Sequence, residues 1–202
     1  MKLFFARRSP AWVDVTYWAL DLETSGLDPK RHVILSAGMV PVREGVVRWA
    51  ERWESLVHPG PGVRIPEDGL RAHHILPGEL EHAPPLDDVL PEIERRMREG
   101  VMLLHFAPLD LGFLKAAFAA RGRPWPKPRV VDTVDLLQKL HQRLHHLTPH
   151  PTPPRTALPE AREDCGLPPY PNHHALTDAL ATAELFLALR ARLQARTLAD
   201  LH

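Results

Sequence analysis

The chain has 202 residues, 44% of them hydrophobic and 25% charged, with 25 basic and 25 acidic side chains. That balance supports one folded domain with a full core and excludes a disordered or fibrous chain. A net charge of zero argues against a purely electrostatic nucleic-acid module, and the single cysteine excludes an internal disulfide. No apolar run approaches the roughly 20 residues that span a bilayer, so a cytoplasmic protein without a membrane partner is expected.

In chain order, residues 1–16 read as a leader without a clear structural signal. Tyr17 to Leu22 reads as an apolar strand leading into Asp21, Glu23 and a turn at Gly26. Val33 to Val42 is a second strand, Arg43-Glu44-Gly45 a hairpin turn, and Val46 to Val57 a third strand. Val47, Trp49, Trp53 and Val57 would share one face of that third strand, as core and sheet surface. Leu86, Val89, Leu90, Ile93 and Met97 follow a helical period, interrupted by Pro91 and ended by Gly100. Val101 to Phe106 reads as a buried strand, and Asp110 to Arg121 as a helix ended by Gly122. Asp132 reads as the N-cap of a further helix carrying Val134, Leu137 and Leu140. Residues 145–160 hold three histidines and five prolines without metal-ligand spacing, which favours a loop over a zinc site. A long helix is expected from Ala175 to about Arg196, followed by a short tail, 197–202. The domain proper is thus expected over 17–196.

Asp21 and Glu23 lie two apart on a strand, so both carboxylates project from one face. Such a pair resists full ionisation unless a cation sits between its members, and hard oxygen donors suit Mg²⁺ or Mn²⁺.

Three motifs extend this reading: Asp21-Leu22-Glu23-Thr24-Ser25-Gly26, the segment His105 to Leu114 with Asp110, and His173-His174-Ala175-Leu176-Thr177-Asp178. With these motifs in this order, the chain resembles the DnaQ-like, DEDDh class of 3′-to-5′ exonucleases over about residues 17–190. That class includes the proofreading subunits of bacterial DNA polymerase III and ribonuclease relatives. The resemblance implies an α/β, ribonuclease H-like fold: a mixed five-stranded sheet, its first three strands antiparallel, with helices on both faces. It also implies a cage for two Mg²⁺ or Mn²⁺ ions made by Asp21, Glu23, Asp110 and Asp178, with His173 as general base. Two divalent ions in one cage address both the attacking water and the leaving 3′ oxygen of a phosphodiester, and a histidine titrates near neutral pH.

The resemblance places Thr24, Gly26 and Leu27 against the terminal nucleotide, with Leu27 as an apolar wedge, and His73 near the base. One residue departs from the pattern. The family usually carries Asn directly after the histidine of the second motif, where this chain has Phe106, so a stacking face replaces a polar contact.

The function so implied is metal-dependent 3′-to-5′ hydrolysis of single-stranded DNA to 5′-mononucleotides, in proofreading or repair. The alternatives are an exoribonuclease acting on RNA 3′ ends or short oligonucleotides, and an inactive module that binds nucleic acid or a polymerase. The intact acidic set and His173 argue against the inactive module. Proofreading subunits often dock on their polymerase through an extra C-terminal segment. No such tail follows the last helix here, so either a stand-alone nuclease or pairing through the surface is expected. Oligomeric state carries no sequence signal.

Overall fold

The computed structural model of the chain describes residues 9–63, 65, 75–171 and 173–202. The expected base contact His73 lies outside the described residues. Six strands form one mixed sheet: β1 (Tyr17–Thr24), β2 (Ile34–Arg43), β3 (Val46–Val47), β4 (Trp53–Leu56), β5 (Val101–Leu104) and β6 (Arg129–Asp132). The order is β3-β2-β1-β5-β6, with β4 also paired to β2. β1 and β2 are antiparallel, whereas β1–β5 and β5–β6 are parallel.

The expected five-stranded sheet needs correction, and Pro41 supplies the reason. β3 pairs with Val42 and Arg43 of β2, and β4 pairs with Ser36 to Met39. Between those ladders lies Pro41, which has no N–H to offer a neighbouring strand. The ladder breaks there, and the chain detours through a 3₁₀ turn at Trp49–Glu51. The single third strand expected over 46–57 is therefore two strands. Trp49 sits on the detour, exposed, with the Arg52 guanidinium 4.7 Å from its ring. The hairpin turn between β2 and β3 forms as expected, with positive φ at Glu44 and Gly45.

Among the described residues, six helices accompany this sheet: α1 (Pro77–Glu81), α2 (Leu86–Glu99), α3 (Ala107–Ala120), α4 (Thr133–His145), α5 (Leu158–Asp164) and α6 (Ala175–Leu193). The two-residue period of β1 divides the core. Tyr17 and Ala19 join Val40, Val101 and Leu103 beneath α4 and α6, where Tyr17 stacks 4.8 Å from Phe186. Trp18, Leu20 and Leu22 join Met39, Met102 and Leu104 beneath α2 and α3. Full burial of each large apolar side chain contributes roughly 1.5–3 kcal/mol, and both faces of the sheet are covered. α2 continues past Pro91, which lies inside it.

The segments expected as leader and tail meet. Ala11 bridges to Thr197, the Trp12 amide donates to the Arg196 carbonyl, and Leu198 and Leu201 are buried in the core. Among the described residues, no helix is long and apolar enough to cross a membrane.

Candidate active site

Tyr17 and Ala19 share their face of β1 with Asp21 and Glu23, and α6 covers that face. Directly across the β1–β2 pair, Asp21 registers with Gly38. A Cβ on Gly38 would collide with the backbone of Ala175 and Leu176 at the start of α6. Glycine is therefore required for the helix to touch the sheet, and that contact carries Asp178 to the strand carboxylates. Asp21, Glu23 and Asp178 each offer an oxygen within 4.8 Å of the other two.

Asp110 arrives from the opposite layer. It lies in the first turn of α3, almost fully buried, beyond the end of β5. The expectation that Asp110 opens this helix is off by three residues: α3 begins at Ala107 with Phe106 as its N-cap, so Asp110 sits at the end of the first turn and is not the cap.

Electrostatics tie the four acids together. Burial, then the charges of Asp110, Glu23 and Asp178, push Asp21 well above the usual carboxylate range. Burial and Asp178 raise Glu23 to about 7. Burial lifts Asp110 to about 8, against amides of Asp110 itself and Leu22 that favour its charged form; Asp132 and Glu23 add to the rise. Burial also raises Asp178, opposed by the His173 amide. An all-oxygen set of mutually repelling acids, Asp110 buried and the other three half-buried, suits hard divalent cations, whose charge would remove the repulsion. Among the described residues no other group of three such side chains lies close enough to hold an ion.

His173 and His174 separate clearly. His173 sits in the loop before α6 with φ 66°, and its amide donates to Asp178 Oδ2 at 2.9 Å. His174 is the N-cap residue of α6, its Nε2 3.5 Å from Glu54 Oε1 and its Nδ1 3.4 Å from Thr177 Oγ1. Both histidines line a cleft of about 280 Å³ together with Glu23, Ser36, Glu54 and Leu56. Sequence reasoning missed Glu54. It lies on β4 opposite Gly38, a pairing that only the broken third strand makes.

The remaining expected contacts take varied positions. Thr24 Oγ1 donates to the Gly26 carbonyl at 2.9 Å, and a Cβ on Gly26 would lie 2.5 Å from the His32 ring. Leu27 is 77% exposed and Phe106 is 56% exposed. His105 contacts Thr133 Oγ1 at 2.7 Å and the Thr156 carbonyl at 2.8 Å, anchoring the proline-rich loop; burial lowers its pKa.

Asp132 does more than cap α4. One oxygen accepts from the Val134 amide at 2.9 Å and from the Phe106 amide at 3.0 Å. The other accepts from the Ala107 amide at 2.7 Å, so one carboxylate starts two helices. It also holds Phe106 in the left-handed conformation, φ 64° and ψ 57°, which costs a residue with a Cβ roughly 1–2 kcal/mol.

The chain is similar to the DNA polymerase III epsilon subunit of Aquifex aeolicus, 28% identical over 178 residues that make up 88% of this chain and 81% of that protein. It is also 28% identical over 175 residues to the PolC-type DNA polymerase III of Thermotoga maritima, of which it spans 12%. Among solved structures, the nuclease domain of 3′hExo, a DEDDh family member bound to rAMP, superposes with a TM-score of 0.72 at 14% identity, over 91% of this chain and 94% of that one. Cell-death related nuclease 4 superposes at 0.75 with 12% identity, over 92% and 66%. These likenesses place the fold with the ribonuclease H-like exonucleases. The exonuclease model RNase_T matches residues 18–186, and the chain belongs to that exonuclease family.

Proposed function

We propose that this chain is a metal-dependent 3′-to-5′ exonuclease that removes 5′-mononucleotides from single-stranded DNA ends. The observation that carries this reading is the convergence of Asp21, Glu23 and Asp178 within 4.8 Å, in electrostatic contact with the buried Asp110. These four carboxylates would hold two Mg²⁺ or Mn²⁺ ions. When bound, such ions supply charge stabilisation to both sides of an in-line phosphodiester displacement. The carboxylates hold the site's geometry and, once deprotonated, its negative potential. His173, on its loop beside Glu23, accepts the proton of the attacking water at a ring nitrogen. Thr24, Gly26 and Leu27 lie just beyond Glu23 on the chain and contact the terminal nucleotide. Phe106 and His73 supply further faces for bases. Apolar and aromatic faces stack on any base, so the site reads a free end and not a sequence.

The epsilon-subunit relative makes a DNA polymerase a natural partner, and a cytoplasmic location fits that role. Exonuclease I of Escherichia coli, solved in complex with single-stranded DNA, shares the fold at a TM-score of 0.75 and 16% identity. The test is digestion of 3′- and 5′-labelled single-stranded DNA, duplex DNA and RNA with Mg²⁺, Mn²⁺ or excess chelator. Mononucleotides appearing first from the 3′ end, only with metal and fastest on single-stranded DNA, are expected. Full activity in chelator, or purely internal fragments, would sink the proposal. Faster turnover of RNA would reassign the substrate.

A further inference from the structure

Phe106 is held where a phenylalanine is disfavoured. Its φ of 64° places Cβ against the following carbonyl, a strain that glycine avoids and asparagine tolerates. Burial does not compensate, because the side chain is 56% exposed. What holds the backbone is a side chain 26 residues later, Asp132, which accepts the Phe106 and Ala107 amides across the end of the sheet. Capping its own helix needs only the Val134 amide. The rest of the carboxylate's bonding is spent on Phe106 and its neighbour, four and three residues before Asp110. Strain maintained by a second element, on an exposed aromatic that caps the helix carrying Asp110, marks a functional position.

We propose that Phe106 is a preset stacking platform for a nucleobase near the reacting 3′ end, and that Asp132 is its positioning residue. This rests on the nucleic-acid reading above. An aromatic ring already fixed in place loses little freedom when a base stacks on it, so the strain is converted into affinity. The geometry requires a carboxylate at 132. Asparagine could accept the Phe106 and Val134 amides through its oxygen, but it would turn an NH₂ towards the Ala107 amide.

The test uses a short single-stranded oligonucleotide with 2-aminopurine at its 3′-terminal or adjacent position, bound in Ca²⁺ with cleavage verified to be absent. Wild-type protein should quench the probe. Phe106→Asn should bind about tenfold more weakly without quenching, while its melting temperature rises by about 2–4 °C as the strain is relieved. Phe106→Trp should retain quenching. Asp132→Asn should weaken both quenching and affinity and lower the melting temperature. In the Phe106→Asn background it should still lower the melting temperature but no longer weaken binding. In digestion assays Phe106→Asn should raise KM with kcat within about threefold.

Unchanged affinity and quenching in Phe106→Asn would overturn the platform. Additive binding losses in the double variant would overturn the positioning role of Asp132. Wild-type protein that binds and quenches yet trims no 3′ end would refute the exonuclease proposal while leaving this one standing. Wild-type protein that binds no oligonucleotide would refute both.

Discussion

The two helices that bring acids to the site begin in the same way and are held differently. Phe106 is the N-cap of α3 and His173 stands one residue before the N-cap of α6, and both residues sit in the left-handed region, at φ 64° and 66°. At α3 the strained amide is held by Asp132, outside the acid cluster, and Asp110 is left free of that duty. At α6 the strained amide is held by Asp178, itself a member of the cluster. One helix start is thus fixed by the scaffold, whereas the other is fixed by the group proposed to bind metal. The loop bearing His173 is thereby hydrogen-bonded to Asp178 directly, while Phe106 is held by Asp132, which meets Asp110 only through its charge.

The largest expected effect tests the shared part of the comparison. Asp21→Ala, Glu23→Ala, Asp110→Ala and Asp178→Ala should each abolish cleavage of a 3′-labelled oligonucleotide while circular dichroism remains native. Near-normal turnover in Asp110→Ala would confine the cluster to the α6 side. Next, His173→Ala should lower kcat by about 10²–10⁴-fold with metal affinity retained, and His174→Ala should change it little. The reverse pattern would move the base one residue along, to the partner of Glu54.

Amide hydrogen exchange sharpens the contrast itself. Asp178→Ala should speed exchange at His173 and leave Phe106 protected, and Asp132→Ala should do the opposite. Equal loosening of both sites in either variant would show that the two starts are not independent.

The smallest effect is on the metal-free protein. Folded pKa values of about 7 for Glu23 and about 8 for Asp110 lie above their ordinary carboxylate values. The native state therefore binds more protons than the unfolded chain between about pH 4 and 8. The stability this contributes is fully present below about pH 4 and is lost as pH rises through about 7–8. Melting scans in chelator should fall across that window, Mg²⁺ should restore the loss, and Asp21→Asn should raise the melting temperature at pH 8. A flat profile would mean that neither burial nor mutual repulsion disfavours the charged acids in the native state.

Much of the site was legible because it is local. The Asp21–Glu23 spacing on an apolar strand, the long helix carrying Asp178 and the Asp132 cap all rest on short-range periodicity and capping chemistry. What was missed depends on distance or brevity. β6 has only four residues after a proline-rich stretch, too few to show alternation, and α5 has seven. The split of the third strand is dictated by Pro41, on a different strand. The reach of Asp132 back to Phe106 crosses 26 residues, and a positive φ at a phenylalanine has no signature in composition.

Gly38 carries a last consequence. It has no functional group, yet the backbone of α6 rests where its side chain would be. In a scan of random substitutions scored by nuclease activity, Gly38 would therefore look as essential as the acids it faces. Thermal unfolding in chelator would tell the two kinds of intolerance apart: changes at the acids leave the protein folded, whereas any side chain at Gly38 pries helix from sheet.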